Sequence, residues 1–255
     1  MATTIAISSQ KGGVAKTTTC YSLGACLAER GQSVLLIDMD PQANLTISFG
    51  LNPDTLHHTV GDALLEHDSL VAVSHEGRMS NLDLVPANQS LVVLDRVLYG
   101  RQAYEFRLRR QLEAMDTGYY DTILIDCPPS FGTLTLNALT AADLLIIPVQ
   151  CEYYAARAMR PILKLVELMR RKTNPKLAYR VLVTLYDRRN RISRIILDQI
   201  KTTFSSCLFE TIIEIDTKLR ESPTAGLPIN LYAPHTRATR QYRALAEELI
   251  GSGKA

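Results

Sequence analysis

Lys11-Gly12-Gly13-Val14-Ala15-Lys16-Thr17-Thr18 decides how this 255-residue chain folds. It lies between Thr4–Ser8, a short β-prone run, and Thr17–Arg30, which reads as a helix with Cys20, Leu23 and Leu27 on one apolar stripe. Gly24 sits on the same side and would allow close packing there, and Gly31 is placed to end the helix. A glycine-rich loop between a strand and a helix is where a phosphate site belongs. Glycines let backbone N–H groups converge on an anion, and the helix start adds unpaired donors and a positive dipole end. Lys16 is placed to reach the β- and γ-phosphates, and the Thr17 hydroxyl to ligate Mg²⁺.

The loop is a variant. The pattern GxxxxGK[ST] needs glycine at positions 10 and 15, where the chain has Gln10 and Ala15, and GxGxxG is absent. KGGxxK[ST] fits, with an additional lysine, Lys11, at the loop's start. Ala15 is tolerated there if its φ is negative.

Working outward, Ser33–Asp38, Leu82–Val85, Thr122–Asp126, Leu144–Val149 and Val181–Leu185 read as strands, several of them continuous apolar runs typical of strands covered on both faces. Thr211–Ile215 reads as a further strand. Arg101–Ala114, Ala155–Arg171, Ile192–Phe204 and Thr239–Ile250 read as helices, and the polar stretch 50–77 as irregular or short helices. Alternating buried strands and helices predict one α/β domain over residues 1–255, a doubly wound, mostly parallel sheet with helices on both faces. Asp38 and Asp40 follow one apolar run, and Asp126 ends another. Each is expected at the carboxyl edge of the sheet beside the loop, where a carboxylate can hold Mg²⁺ or its waters, or orient an attacking water.

Composition narrows the function. Hydrophobic residues make up 46% and charged residues 21%, which suits a globular protein, and no apolar run reaches the ~18–20 residues of a membrane span. The opening residues lack a signal-peptide pattern, so a cytoplasmic protein is expected. The five cysteines form no CxxC pair, which argues against a disulfide framework or zinc site. The net charge of +2 hides an asymmetry: residues 1–127 balance at −6 and residues 128–255 at +8. Residues 157–201 alone carry 13 Lys/Arg against 3 Asp/Glu, which suits either a solvated helix surface or a face for a polyanion.

Four segments, Lys11–Thr18, Val34–Asn44, Asp121–Ser130 and Ile147–Ala155, closely resemble the ParA/Soj ATPases of bacterial DNA segregation, in the MinD/ParA group with the deviant Walker A loop. The likeness runs from Ile5 to about Leu249. It implies a P-loop NTPase fold and ATP and Mg²⁺ as cofactors. The nucleotide would be held by Lys11, Gly12, Gly13, Val14, Ala15, Lys16, Thr17 and Thr18, with Asp38 as a nearby switch residue. The resemblance makes Lys11 the lysine that reaches a partner subunit's nucleotide, Lys16 the phosphate lysine, and Asp40 the residue that positions the hydrolytic water. Thr17 and, through water, Asp126 would serve the metal. It further implies a homodimer when ATP is bound, non-specific DNA binding on the nucleoid, and a ParB-like partner that stimulates hydrolysis. Arg188 and Arg189 align with a DNA-contacting segment, and Lys218 with a second basic contact; Arg191 and Arg220 lie beside them.

Three other readings compete. A MinD-like membrane-surface ATPase needs a basic amphipathic terminal helix, whereas the segment 247–255 is short and partly acidic. A nitrogenase-reductase-like protein needs two placed cysteines per subunit, and Cys127 has no evident second. A nucleotide-gated scaffold would bind ATP and barely turn it over.

Overall fold

In a computed structural model, which describes residues 2–115, 118–153 and 155–252, the chain builds one seven-stranded sheet. The strands are β1 (Thr3–Ile7), β2 (Val34–Asp38), β3 (His75–Glu76), β4 (Leu82–Val85), β5 (Thr122–Asp126), β6 (Leu144–Gln150) and β7 (Ala178–Thr184). Their order across the sheet is β3-β4-β2-β5-β1-β6-β7, and every pairing is parallel except β3 with β4. The longer helices are α1 (Lys16–Ala28), α4 (Leu91–Leu98), α5 (Arg107–Ala114), α6 (Thr133–Ala141), α7 (Ala155–Lys172), α8 (Arg191–Thr203) and α11 (Arg237–Ser252). Short helical turns are α2 (Asn44–Ser48), α3 (Val60–Leu64), α9 (Lys218–Glu221) and α10 (Ile229–Tyr232).

Alternation along the strands splits the core in two. Ile5, Ile7, Val34, Leu36, Leu124 and Ile146 face one layer made by α1 and α11. Ala6, Leu35, Ile37, Ile125, Leu145 and Ile147 face the other, made by α4 to α8. This is the doubly wound arrangement the sequence predicts. α1 is buried almost all round, between the sheet and α11, and a Cβ on Gly24 would meet Leu36 Cδ2 at 2.7 Å. Gly31, at φ 84°, closes the helix, its N–H donating to Ala28 O.

The sequence expectations differ from the structure in four places, one being β3, which lies in the stretch 50–77 read as irregular or short helices. Thr211–Ile215 is not a strand. It runs beside β7, with Ile213 N–H donating to Val183 O and one bridge from Glu214 to Tyr186, but forms no continuous ladder. Arg101–Ala114 resolves into a 3₁₀ turn at Tyr104–Phe106 followed by α5. Helices α4 and α6 are not among the expected helices: α4 buries Leu91, Leu94 and Leu98 at helical spacing, and α6 (TLTLNALTA) is rich in threonine, a modest helix former, and is held by burial.

Candidate active site

The parallel strands deliver their carboxyl ends to one edge, and the expected nucleotide residues gather there. Asp38 on β2 pairs in register with Asp126 on β5, and Asp126 with Ile7 on β1, immediately before the loop. The order of strands therefore places two carboxylates and the phosphate loop side by side.

The loop is held open from outside. Gly13 O accepts from Gln150 Nε2 at 3.0 Å at the end of β6, and Val14 O accepts from Thr184 Oγ1 at 3.0 Å at the end of β7. Gly13 has φ 73°, and a Cβ at Gly12 or Gly13 would meet nothing within 4 Å. Conformation asks for glycine at 13, and the space above the loop stays clear. Ala15 caps α1 at φ 63°, ψ 36°, so the condition of negative φ is not met. A Cβ in this region costs roughly 1–2 kcal/mol, which the loop absorbs. No side chain caps the first turn of α1, which leaves its amides for an anion.

Lys16 is nearly buried, and half-buried Thr17 donates its hydroxyl to Asp126 Oδ2 at 2.6 Å. Thr18 is half-buried beside it. Asp126 Oδ1 is buried and meets no hydrogen-bond donor among the described residues. Burial, and then the neighbouring Asp38, pushes the Asp126 carboxyl well above the usual carboxylate range, against the pull of the Thr17 hydrogen bond and of Lys16. Asp38 is buried as well and is pushed up to about 6 by burial, opposed by the donors around it. Thr46, on α2, donates both its N–H (2.9 Å) and its hydroxyl (2.8 Å) to Asp38 Oδ2. Asp40 N–H donates to Asp38 Oδ1 at 3.0 Å, and Asp40 Oδ1 accepts from Gln42 N–H at 2.9 Å.

A hydroxyl, a carboxylate and an orphaned buried carboxylate oxygen are the hard oxygen donors that Mg²⁺ prefers. Thr17 and Asp126 thus fit a magnesium site, beside Lys16 and the uncapped amides that open α1. Lys11 lies elsewhere. Its Nζ donates to Gln150 Oε1 at 2.8 Å and Glu152 Oε2 at 2.5 Å, toward the surface. Nothing in the sequence patterns gave Thr46, Gln150 or Glu152 a role. Their hydrogen bonds to Asp38 and Lys11 run to residues 8 and 139–141 positions away.

The basic residues form a second group on the β7 side. Arg188 and Arg189 follow β7, Arg191 opens α8 and Lys218 and Arg220 lie on α9. Arg188 reaches Glu214 at 3.7 Å, and a cavity of about 400 Å³ lies between residues 186–189 and 214–217. Arg189 is held by Asp187, at 3.0 Å from Nε and 3.2 Å from an Nη, and Lys218 donates to Glu221 at 2.7 Å. Arg191 and Arg220 are exposed.

Known proteins resemble this chain over most of its length. A family model described as an AAA domain matches residues 2–179. The sporulation initiation inhibitor protein Soj of Bacillus subtilis is 41% identical over 98% of this chain and 98% of its own. The chain belongs to the ParA/Soj family of P-loop ATPases. The chromosome partitioning protein ParA of Myxococcus xanthus is 39% identical, covering 96% of this chain and 87% of its own. Among solved structures, a Mycobacterium smegmatis protein described as cobyrinic acid a,c-diamide synthase, with bound ATP analog and magnesium, superposes with a TM-score of 0.88 at 36% identity, over 100% of this chain and 97% of that one. No helix among the described residues is long and apolar enough to cross a membrane.

Proposed function

We propose that this ATPase is a dimerising switch: it pairs around Mg-ATP, binds DNA without sequence preference, and lets go when a ParB-like partner stimulates hydrolysis. The switch would position a chromosome, plasmid or protein cargo on the nucleoid. Lys16 and the amides opening α1 would hold the β- and γ-phosphates. Thr17 would ligate Mg²⁺ directly and Asp126 through water. The bound metal would neutralise charge on the phosphate oxygens. Asp40 orients the attacking water, held in place from below by Asp38.

The observation that carries the dimer is the direction of Lys11. A lysine serving its own subunit's phosphates would lie with Lys16 among the loop amides. Lys11 instead leaves the loop for Gln150 and Glu152, with over a third of its side chain exposed. A cation so placed is available to a neighbouring subunit. Basic segments 188–191 and 218–220 would supply phosphate contacts, and their own sequence carries no recognition-helix module or aromatic stacking motif, which suits sequence-blind binding.

Size-exclusion chromatography with ATP tests this reading. Lys11→Ala should bind nucleotide and stay monomeric, whereas Asp40→Ala should bind Mg-ATP and accumulate as a dimer. Identical monomeric behaviour in both variants overturns the assignment.

A further inference from the structure

We infer that Thr46 is a positioning residue for ATP hydrolysis, acting on the attacking water through Asp38 and Asp40. The inference rests on the reading of Asp40 given above. Thr46 is fully buried and uses its polar groups on three sides. Its N–H and hydroxyl both donate to Asp38 Oδ2, and the hydroxyl oxygen accepts from Ala87 N–H at 2.9 Å. The one hydroxyl proton is spent on Asp38, so the oxygen's lone pair serves Ala87. Ala87 lies just beyond the end of β4, so this side chain clamps the segment after β2 to the segment after β4.

The clamp acts on a strained turn. Asp38 Oδ1, the oxygen that Thr46 leaves free, accepts from the Asp40 N–H, and Asp40 then accepts from Gln42 N–H. The turn ends at Ala43, whose φ of 52° is left-handed, and Ala43 N–H donates to Asp40 O at 2.8 Å. An alanine holds this conformation only where its surroundings impose it. Thr46 imposes it from the C-terminal side: it fixes the plane of the Asp38 carboxylate, which fixes the Asp40 amide and with it the direction of the Asp40 side chain. None of these hydrogen bonds goes to the phosphate loop, which Asp38 approaches only through its neighbour Asp126 on β5. Thr46 therefore governs turnover and leaves ATP binding to Lys16 and the α1 amides.

The test uses Thr46→Val, which keeps the branched shape and loses the hydroxyl, Thr46→Ser, which keeps the hydroxyl, and Asp40→Asn. Each full-length protein is assayed for phosphate release and for ATP affinity, with thermal unfolding to confirm folding. Misplacing an attacking group by about 1 Å costs up to roughly 100-fold in rate, so Thr46→Val should lower kcat roughly tenfold or more, with ATP affinity within about twofold of wild type. Thr46→Ser should recover most of the rate. Wild-type kcat in Thr46→Val alongside an impaired Asp40→Asn overturns this inference alone. So does an equal loss in the serine variant, or a fall in kcat matched by a fall in ATP affinity. Wild-type turnover in Asp40→Asn overturns both this inference and the reading of Asp40. If Thr46→Val fails to fold, the serine variant decides: near wild-type kcat with wild-type affinity supports the hydroxyl's role, and a tenfold loss refutes it.

Discussion

The Thr17 hydroxyl donates to Asp126 Oδ2 across 2.6 Å, joining the first turn of α1 to the end of the central strand β5. Two groups suited to one magnesium ion thus hold each other in place beside an orphaned carboxylate oxygen. Thr17→Val should raise the Mg²⁺ concentration needed for half-maximal ATPase by roughly tenfold or more, as loss of a metal ligand or its oriented partner does elsewhere. Thr17→Ser should stay close to wild type, and EDTA should abolish turnover in all three proteins. A magnesium titration of phosphate release checks this; unchanged magnesium dependence in Thr17→Val would remove Thr17 from the metal site.

Lys11 and Glu152 form an exposed pair, worth at most about 1 kcal/mol. It nevertheless competes with any contact Lys11 makes to a second subunit. Glu152→Gln should shift ATP-dependent dimerisation to severalfold lower protein concentration, as read by analytical ultracentrifugation. A weaker dimer in this variant would mean that Glu152 serves the assembled state.

Ala15 holds a left-handed conformation that glycine adopts freely. The strain relieved in Ala15→Gly, roughly 1–2 kcal/mol, exceeds the extra chain entropy of glycine, roughly 0.5–1 kcal/mol. The nucleotide-free variant should gain up to about 1 kcal/mol, or a few degrees in Tm. A lower Tm would show that the alanine methyl contributes packing that outweighs its strain.

Much of this architecture was legible because parallel strands buried on both faces read as unbroken apolar runs, as in Val34–Asp38 and Thr122–Asp126. The ends of these runs place Asp38 and Asp126 beside the loop from the residue pattern alone. Residues 211–215 misled because a β-prone run needs a partner on a ladder, and the edge of β7 offers only isolated bridges. The φ of Ala15 and the role of Thr46 were hidden for a different reason. The first depends on how the loop is pinned by Gln150 and Thr184, and the second on a carboxylate that turns toward α2; neither leaves a pattern of residue types.

Asp38 gives the protein a pH dependence. Its folded value, about 6, lies above the ~3.9 of an unfolded chain, because burial disfavours the charge despite the donors from Thr46 and Asp40; Asp40 and Asp126 are the charged neighbours that raise it further or share its burial. A raised acid stabilises the fold fully below its unfolded value and loses that contribution as pH rises through its folded one. Nucleotide-free protein should therefore lose on the order of 1–3 kcal/mol from this group between about pH 4 and 6. Asp38→Asn should flatten that part of the profile in urea unfolding at a series of pH values. An unchanged slope would assign it to other carboxylates.

Binding to DNA across a salt series is the most direct test of the switch. Two unrelated duplexes are titrated with the protein in ATP and in ADP, with Lys218→Ala as a comparison. Backbone contacts alone predict equal affinity for both duplexes, and a steep fall with salt. Pairing of two subunits on one duplex predicts much tighter binding in ATP than in ADP. Lys218→Ala should weaken both duplexes alike and make the salt slope shallower by about one phosphate contact per subunit. Preference for one duplex, or equally tight binding in ADP, would contradict an ATP-gated, sequence-blind DNA switch.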